Sequence, residues 1–290
     1  MSSSSLFPKF NTSHTVPKAW LGLELIDISP KISKMLQLKQ EAGRFLITDV
    51  ILDSPAAKAG VHGGKNVTMI DWDGIKSGGD ILIKVDDKTF ANASNLTYYI
   101  QTQKKVGDDI GLTIFQDGKI KQINTTLTTR PDFLTYDNAD YGIKIQYPSI
   151  WIKLERGIES DEVIVSPDIV AFNSLDKVLP EELVVKVERV NLTLGEYSNT
   201  TIKKITENLT DSKIIESTET TLAGSPAHKV IAIFKERNQY ETYLINIWTI
   251  KDGKVYEIRY LSDPKRYHNC LPVAEKMIRS FEIISSTRYP

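Results

Sequence analysis

Ser54-Pro55-Ala56-Ala57-Lys58-Ala59-Gly60 and Gly78-Gly79-Asp80-Ile81-Leu82-Ile83-Lys84-Val85-Asp86-Asp87 are the two pieces from which the first half of the chain is read. The first spells a single helical turn with both ends marked. Ser54 can cap the free amides, Pro55 suits the first helical position, and Gly60 can take the left-handed conformation that stops the helix. The second is a glycine turn feeding a strand in which Ile81, Ile83 and Val85 alternate with Leu82 and Lys84. Two more pieces stand in order around them. Trp20-Leu21-Gly22-Leu23 lies upstream, and Val106-Gly107-Asp108 with Gly111-Leu112-Thr113-Ile114 lies downstream.

Together these four motifs resemble the core signature of a PDZ domain, over about residues 18–130, in particular the kind attached to HtrA- and DegP-type serine proteases. The resemblance implies a β-sandwich or partly open barrel with two main helices and a peptide groove. Amides around Leu21, Gly22 and Leu23 would converge on a C-terminal carboxylate, and a Cβ at Gly22 would hold that ligand away. The edge from Leu23 through Glu24 and Leu25 to Ile28 would accept the peptide as an added strand. A helix capped by Asn92 or Ser94 and running to Lys105 spaces Leu96, Tyr99, Ile100 and Gln103 along one face.

In the PDZ pattern this helix is the far wall of the groove. Leu96 and Ile100 would line the pocket for the last ligand side chain, facing Leu21 and Leu23. The implied peptide-binding set is Trp20, Leu21, Gly22, Leu23, Glu24, Leu25, Leu96, Tyr99 and Ile100. The place of the histidine in Ser/Thr-selecting PDZ domains falls near Ser94 or Asn95, so an apolar last residue is the expected ligand. On this reading Gly22→Val or Ile100→Trp blocks the groove and leaves the fold intact.

Val61 to Ser77 is longer than a compact PDZ linker. Asn66-Val67-Thr68-Met69-Ile70 and the turn Asp71-Trp72-Asp73-Gly74 read as an inserted hairpin over about residues 61–77. This insertion makes the chain similar to archaeal HtrA-like proteins that carry PDZ domains without the protease domain. Gln37 to Gly43 reads as a mobile segment. Lys76-Ser77-Gly78-Gly79-Asp80 imitates the Gly-X-Ser-Gly-Gly loop of trypsin-like proteases, yet Ile75 stands where the first glycine must be. Ser77 is therefore not expected to be a nucleophile, and no catalytic residue is assigned.

Pro131 disfavours helix before it, and residues 131–133 read as a linker to a second domain at 134–287. Tyr141-Gly142-Ile143-Lys144-Ile145-Gln146-Tyr147-Pro148-Ser149-Ile150-Trp151 resembles the start of PsbP-like domains. Strands are expected at 183–187, 228–234, 242–250 and 254–261, the last two joined by the Asp252-Gly253 turn. One helix is expected over roughly 195–209. A second starts at Asp263-Pro264 and buries Tyr267, Leu271, Ala274, Ile278 and Phe281. The resemblance implies a twisted antiparallel sheet with helices on both faces. The fold class expected for the whole chain is thus α+β in two domains.

With 290 residues and a net charge of −1, the chain is long enough for two cores and carries no basic stripe for nucleic acid. His14, His62, His228 and His268 are scattered without metal-ligand spacing, so neither metal nor cofactor is expected. The lone Cys270 excludes an internal disulfide and reads as a buried structural thiol. No apolar run is long enough to span a membrane, and residues 1–17 read as a disordered lead-in. Eight of the thirteen asparagines, among them Asn66, Asn124, Asn191 and Asn208, open an Asn-X-Ser/Thr triplet, where about two would arise by chance. That excess points to an exported, envelope or extracellular protein; the alternative is a cytoplasmic β protein that gathers triplets accidentally.

The function expected is non-enzymatic capture of protein C-termini or extended segments, in the manner of protein quality control. The alternative is the substrate-recruiting portion of an HtrA-type serine protease. A third possibility is an envelope structural protein with an occluded groove.

Overall fold

The structure is a computed structural model. It describes residues 17–35, 45–70, 73–155, 168–174, 181–235 and 240–285. Nearly all of the expected lead-in, the segment from Gln37 to Gly43 and the Asp71-Trp72 turn lie outside the described residues. The architecture is α+β, in two compact units that divide between Arg130 and Pro131.

The first unit runs β1 (Ala19–Trp20), β2 (Leu23–Asp27), α1 (Pro30–Met35), β3 (Phe45–Val50), α2 (Pro55–Lys58), β4 (Asn66–Ile70), β5 (Asp73–Ser77) and β6 (Ile81–Val85). It continues with α3 (Ala93–Gln103), β7 (Asp109–Gln116), β8 (Lys119–Thr126) and β9 (Thr128–Thr129). Five strands form one antiparallel sheet in the order β2-β3-β6-β7-β8. β4 pairs only with β5, and β1 with β9. Alternation along β7 buries Ile110, Leu112 and Ile114, which join Phe45, Ile47 and Leu82 in the core. Asp117 and Gly118 both take positive φ, the type I′ turn whose twist matches the β7–β8 hairpin.

The second unit runs β10 (Phe133–Asn138), β11 (Ile143–Pro148), β12 (Ile152–Glu155), β13 (Asp168–Asn173), β14 (Glu182–Arg189) and α4 (Leu194–Asn208). It continues with β15 (Thr210–Leu222), β16 (Ser225–Lys235), β17 (Glu241–Lys251), β18 (Lys254–Ser262), α5 (Pro264–Arg279) and β19 (Glu282–Ile283). Seven strands make the main sheet, in the order β12-β13-β14-β18-β17-β16-β15, and β10-β11-β19 make a smaller one.

Leaving β14, the chain must reach the opposite edge of the sheet, and α4 is the crossover that carries it there. Thr193 caps α4 in a reciprocal box with Glu196. Tyr197 of α4 meets Trp248 on one face of β17, while Tyr243 on the other face stacks on Tyr267 of α5 at 4.3 Å. The helices therefore cover opposite faces, as the resemblance implied. Cys270 is half-buried rather than buried, and its thiol donates to Glu181 Oε1 at 2.6 Å.

Candidate functional site

The turn between β1 and β2 is built by the capped helix. Ser54 is fully buried and accepts from the Ala57 amide, and its hydroxyl lies 3.5 Å from Gly22 O. Ala56 N donates to Leu21 O, and Ile51 N to Gly22 O. Both carbonyls of the turn are thus taken from inside. The Leu21 and Gly22 amides donate to no loop, cap or side-chain group among the described residues. Gly22 has φ +84°, and a Cβ there would sit 2.2 Å from Ser54 Cβ. Glycine is required here by the helix behind the turn. The expectation that Gly22→Val spares the fold is therefore wrong.

The glycine turn before β6 has an equally local cause. Gly79 lets the backbone approach β3 so closely that a Cβ would lie 2.0 Å from Ile47 O. Asp80 is buried and accepts from the His62 amide and from Gln116 Nε2, which ties α2's exit to the end of β7. Ser77 is buried at the end of β5.

Among the described residues β2 is the outer strand of its sheet, paired only with β3, and α3 packs beside it. Ala93 N donates to Asp27 Oδ1, pinning the start of α3 to the end of β2. Of the two residues expected to cap α3, Asn92 does so, accepting from the Asn95 amide. Lys104 is extended, so α3 stops at Gln103 rather than at Lys105.

The nine sequence-predicted residues fall into three groups. Trp20, Leu21, Gly22 and Leu23 form the turn, and Glu24 and Leu25 continue along the edge strand. Leu21, Leu96 and Ile100 meet in one core cluster, against which Leu23 and Leu25 pack half-buried. Leu96 is 1% exposed, so a ligand side chain meets it only if α3 moves outward. Ile100 lies in the same core, and a tryptophan there would overpack it, so Ile100→Trp also fails to spare the fold.

Tyr99 is a fastening. Its hydroxyl donates to Asp86 Oδ2 at 2.8 Å, its ring lies 5.2 Å from Phe90, and Lys88 Nζ sits over it at 4.6 Å. Asp86 also accepts from the Gly111 amide and pairs with Lys104 Nζ at 2.7 Å. Burial acts to raise the Asp86 carboxyl, but these three donors outweigh it and hold it below its ordinary range. Burial, and then the bonded Asp86 carboxylate, push Tyr99 up to about 12.

Sequence reasoning found no candidate in the second unit, yet a buried polar cluster lies on the α4 face of its sheet. Glu257 accepts from Tyr197 OH at 2.8 Å and from Asn246 Nδ2 at 2.9 Å, with Lys186 Nζ at 3.7 Å. Burial raises the Tyr197 hydroxyl, and the Glu257 charge adds to it. The polar letters at 186, 246 and 257 were the available signal, since each stands between two apolar neighbours in its strand. His228 stacks on Trp248 and shares a hydrogen bond with Ser217. Among the described residues, no group of three or more His, Cys, Asp or Glu side chains is placed to hold a metal ion.

Comparison with known proteins adds to this geometry. A PDZ-domain family model matches residues 21–127, and a PsbP-like protein family model matches residues 106–283. A probable periplasmic serine endoprotease, DegP-like, from Marinomonas sp. is 27% identical over 128 residues, covering 44% of this chain and 24% of its own length. The chain thus spans about a quarter of the curated relatives it matches. Those relatives are bacterial, so the archaeal likeness has no support among them.

Among solved structures, cyanobacterial PsbP from Synechocystis sp. aligns over 52% of this chain and 92% of its own, at 14% identity and TM-score 0.42. An HtrA-type protease with a decapeptide aligns over 41% of this chain and 31% of its own, at 20% identity and TM-score 0.32. With a PDZ domain in front and a family match over well more than half its length, the chain belongs to the PsbP-like protein family.

Proposed function

We propose that residues 18–130 are a non-enzymatic peptide-binding module and residues 134–287 an accessory module. The first captures protein C-termini or extended segments at Trp20, Leu21, Gly22, Leu23, Glu24 and Leu25, with Leu96 and Ile100 forming the side-chain pocket as α3 moves outward and Tyr99 steadying the wall. One observation carries this reading. An outer strand, β2, lies beside α3 and is entered by a turn whose carbonyls are engaged inward while its first two amides are not. A peptide added to that edge gains a ladder of backbone bonds, and the turn's amides receive its carboxylate.

Fluorescence polarisation with C-terminal peptides, each free and amidated, tests the reading. Amidation removes a charge-assisted hydrogen bond and should cost about 1.5–3 kcal/mol, roughly ten- to a hundredfold in affinity. Peptides ending in Val, Leu, Ile or Phe should bind best. Equal binding of the free and amidated forms, or preference for a charged last residue, overturns it.

The DegP-like match, confined to the PDZ region, favours a second reading in which this chain is the substrate-recruiting part of an HtrA-type serine protease. Purified chain incubated with unfolded casein separates the readings from an intrinsic peptidase: no turnover is expected. The periplasmic description of those relatives and the glycan-acceptor triplets support an envelope or exported location. Asn124, Asn191 and Asn208 are exposed, and mass spectrometry of native protein should find at least one modified. Unmodified sites on a protein from the cytosolic fraction would reverse that assignment. Among the described residues, no helix is long and apolar enough to cross a membrane.

A further inference from the structure

A cavity of about 630 Å³ opens between α4 and the main sheet of the second unit. Strand register assembles its floor, setting Asn246 of β17 beside Arg259 of β18, and Glu257 of β18 beside Lys186 of β14. α4 supplies the roof, chiefly Tyr197, Thr201, Lys204 and Ile205. The volume lies within the range of small-molecule sites.

Ile205, Leu209, Phe234 and Leu244 make one apolar stretch of the lining, and Lys186, Asn246, Glu257 and Arg259 a polar one. Within that floor Asn246 is 3% exposed, and its orientation is decided by chemistry. Only the NH2 end of an amide can donate to a carboxylate, and Nδ2 donates to Glu257. Oδ1 is thereby left as an acceptor, and no described residue donates to it. Oδ1 is itself buried, so a bound donor satisfies it only as the side chains around it give way. Formal charges lining the cavity nearly balance, Lys186, Lys204 and Arg259 against Glu182 and Glu257, so no strong field selects an ion.

We infer that this cavity binds a neutral amphiphile whose hydroxyl-bearing head reaches the Asn246–Glu257 floor and whose apolar segment lies along Ile205, Leu209, Phe234 and Leu244. A carboxylate or phosphate head offers Oδ1 no proton and meets the Glu257 charge. An ammonium head offers protons but gains no net attraction, since the three lining cations outnumber the two carboxylates.

The test uses the full chain and four probes: octyl glucoside, octanoate and octylammonium, all kept below micelle formation, and glucose alone. Titration calorimetry gives affinities, and the Asn246 side-chain amide resonance reports the site. Octyl glucoside should shift that resonance and bind at least tenfold more tightly than either charged octyl probe, with glucose weaker still. Asn246→Leu should weaken octyl glucoside at least tenfold while keeping the native spectrum. Lys204→Trp, which brings bulk over the cavity from an exposed position of α4, should do the same and serves if the first variant misfolds. Equal or tighter binding of a charged probe, an unmoved Asn246 resonance, or unchanged affinity in a folded variant overturns the inference.

Discussion

At the scale of the residue, Gly22 and Ser54 are one device. The left-handed turn and the helix cap occupy the same space, so neither residue can be judged from its own stretch of sequence. Gly22→Ala should destabilise the first unit by about 1–3 kcal/mol, from strained φ and from collision with Ser54. Because the collision is with Ser54 Cβ and Oγ, the double variant Gly22→Ala/Ser54→Gly should lose less than the sum of the single losses. Urea denaturation of the four proteins measures this coupling, and strict additivity would refute it. The need for glycine at position 22 was readable in the sequence; its cause was not, because Ser54 lies thirty-two residues away.

At the scale of the element, α3 is held at both ends and along its back. Its amino end bonds Asp27, and Tyr99 with Lys104 grips Asp86 at the foot of β6. Asp86 is depressed in the folded state, so its contribution is complete above the ordinary carboxylate pKa of about 4 and lost as pH falls through the lower folded value. Tyr99 is raised, so its contribution holds below about pH 10 and is lost as pH rises through about 12. Tyr99→Phe should therefore cost about 1 kcal/mol near neutral pH, and the difference from wild type should shrink at both extremes. Denaturation midpoints from about pH 3 to about pH 11 check it; a constant difference would remove Asp86 from the account.

Helical spacing made α3 legible, since Leu96 and Ile100 recur on its buried side. The role of Tyr99 was not, because its partner sits in a turn outside the helix. Strand β15 was missed for a different reason. Thr210 to Leu222 is a sheet edge with polar residues on both faces, Asp211, Ser217 and Thr221 at exposed positions and Ser212, Glu216 and Thr220 at half-buried ones, which erases the alternation that marks a half-buried strand. The cavity floor was illegible on the same grounds: its residues become neighbours only through the register of three strands.

At the scale of the whole molecule, the boundary after Arg130 separates two cores with their own sheets. Residues 17–130 and 131–285, expressed separately, should each unfold cooperatively, at a midpoint matching one transition of the full chain. A segment without a transition of its own would mean that the two are not independent domains. Within the second unit, time enters through strand order. β12-β13-β14 and β18-β17-β16-β15 are two meanders, each closed by neighbours in sequence, and they join only where β14 meets β18. Pairing across that seam closes the longest loop in the sheet, so it should form last and set the refolding rate. Lys186 and Glu257 face each other across this seam. During synthesis β14 must wait with an unpaired edge until β18 has been made, and during that interval the chain depends on whatever shields such an edge from its neighbours.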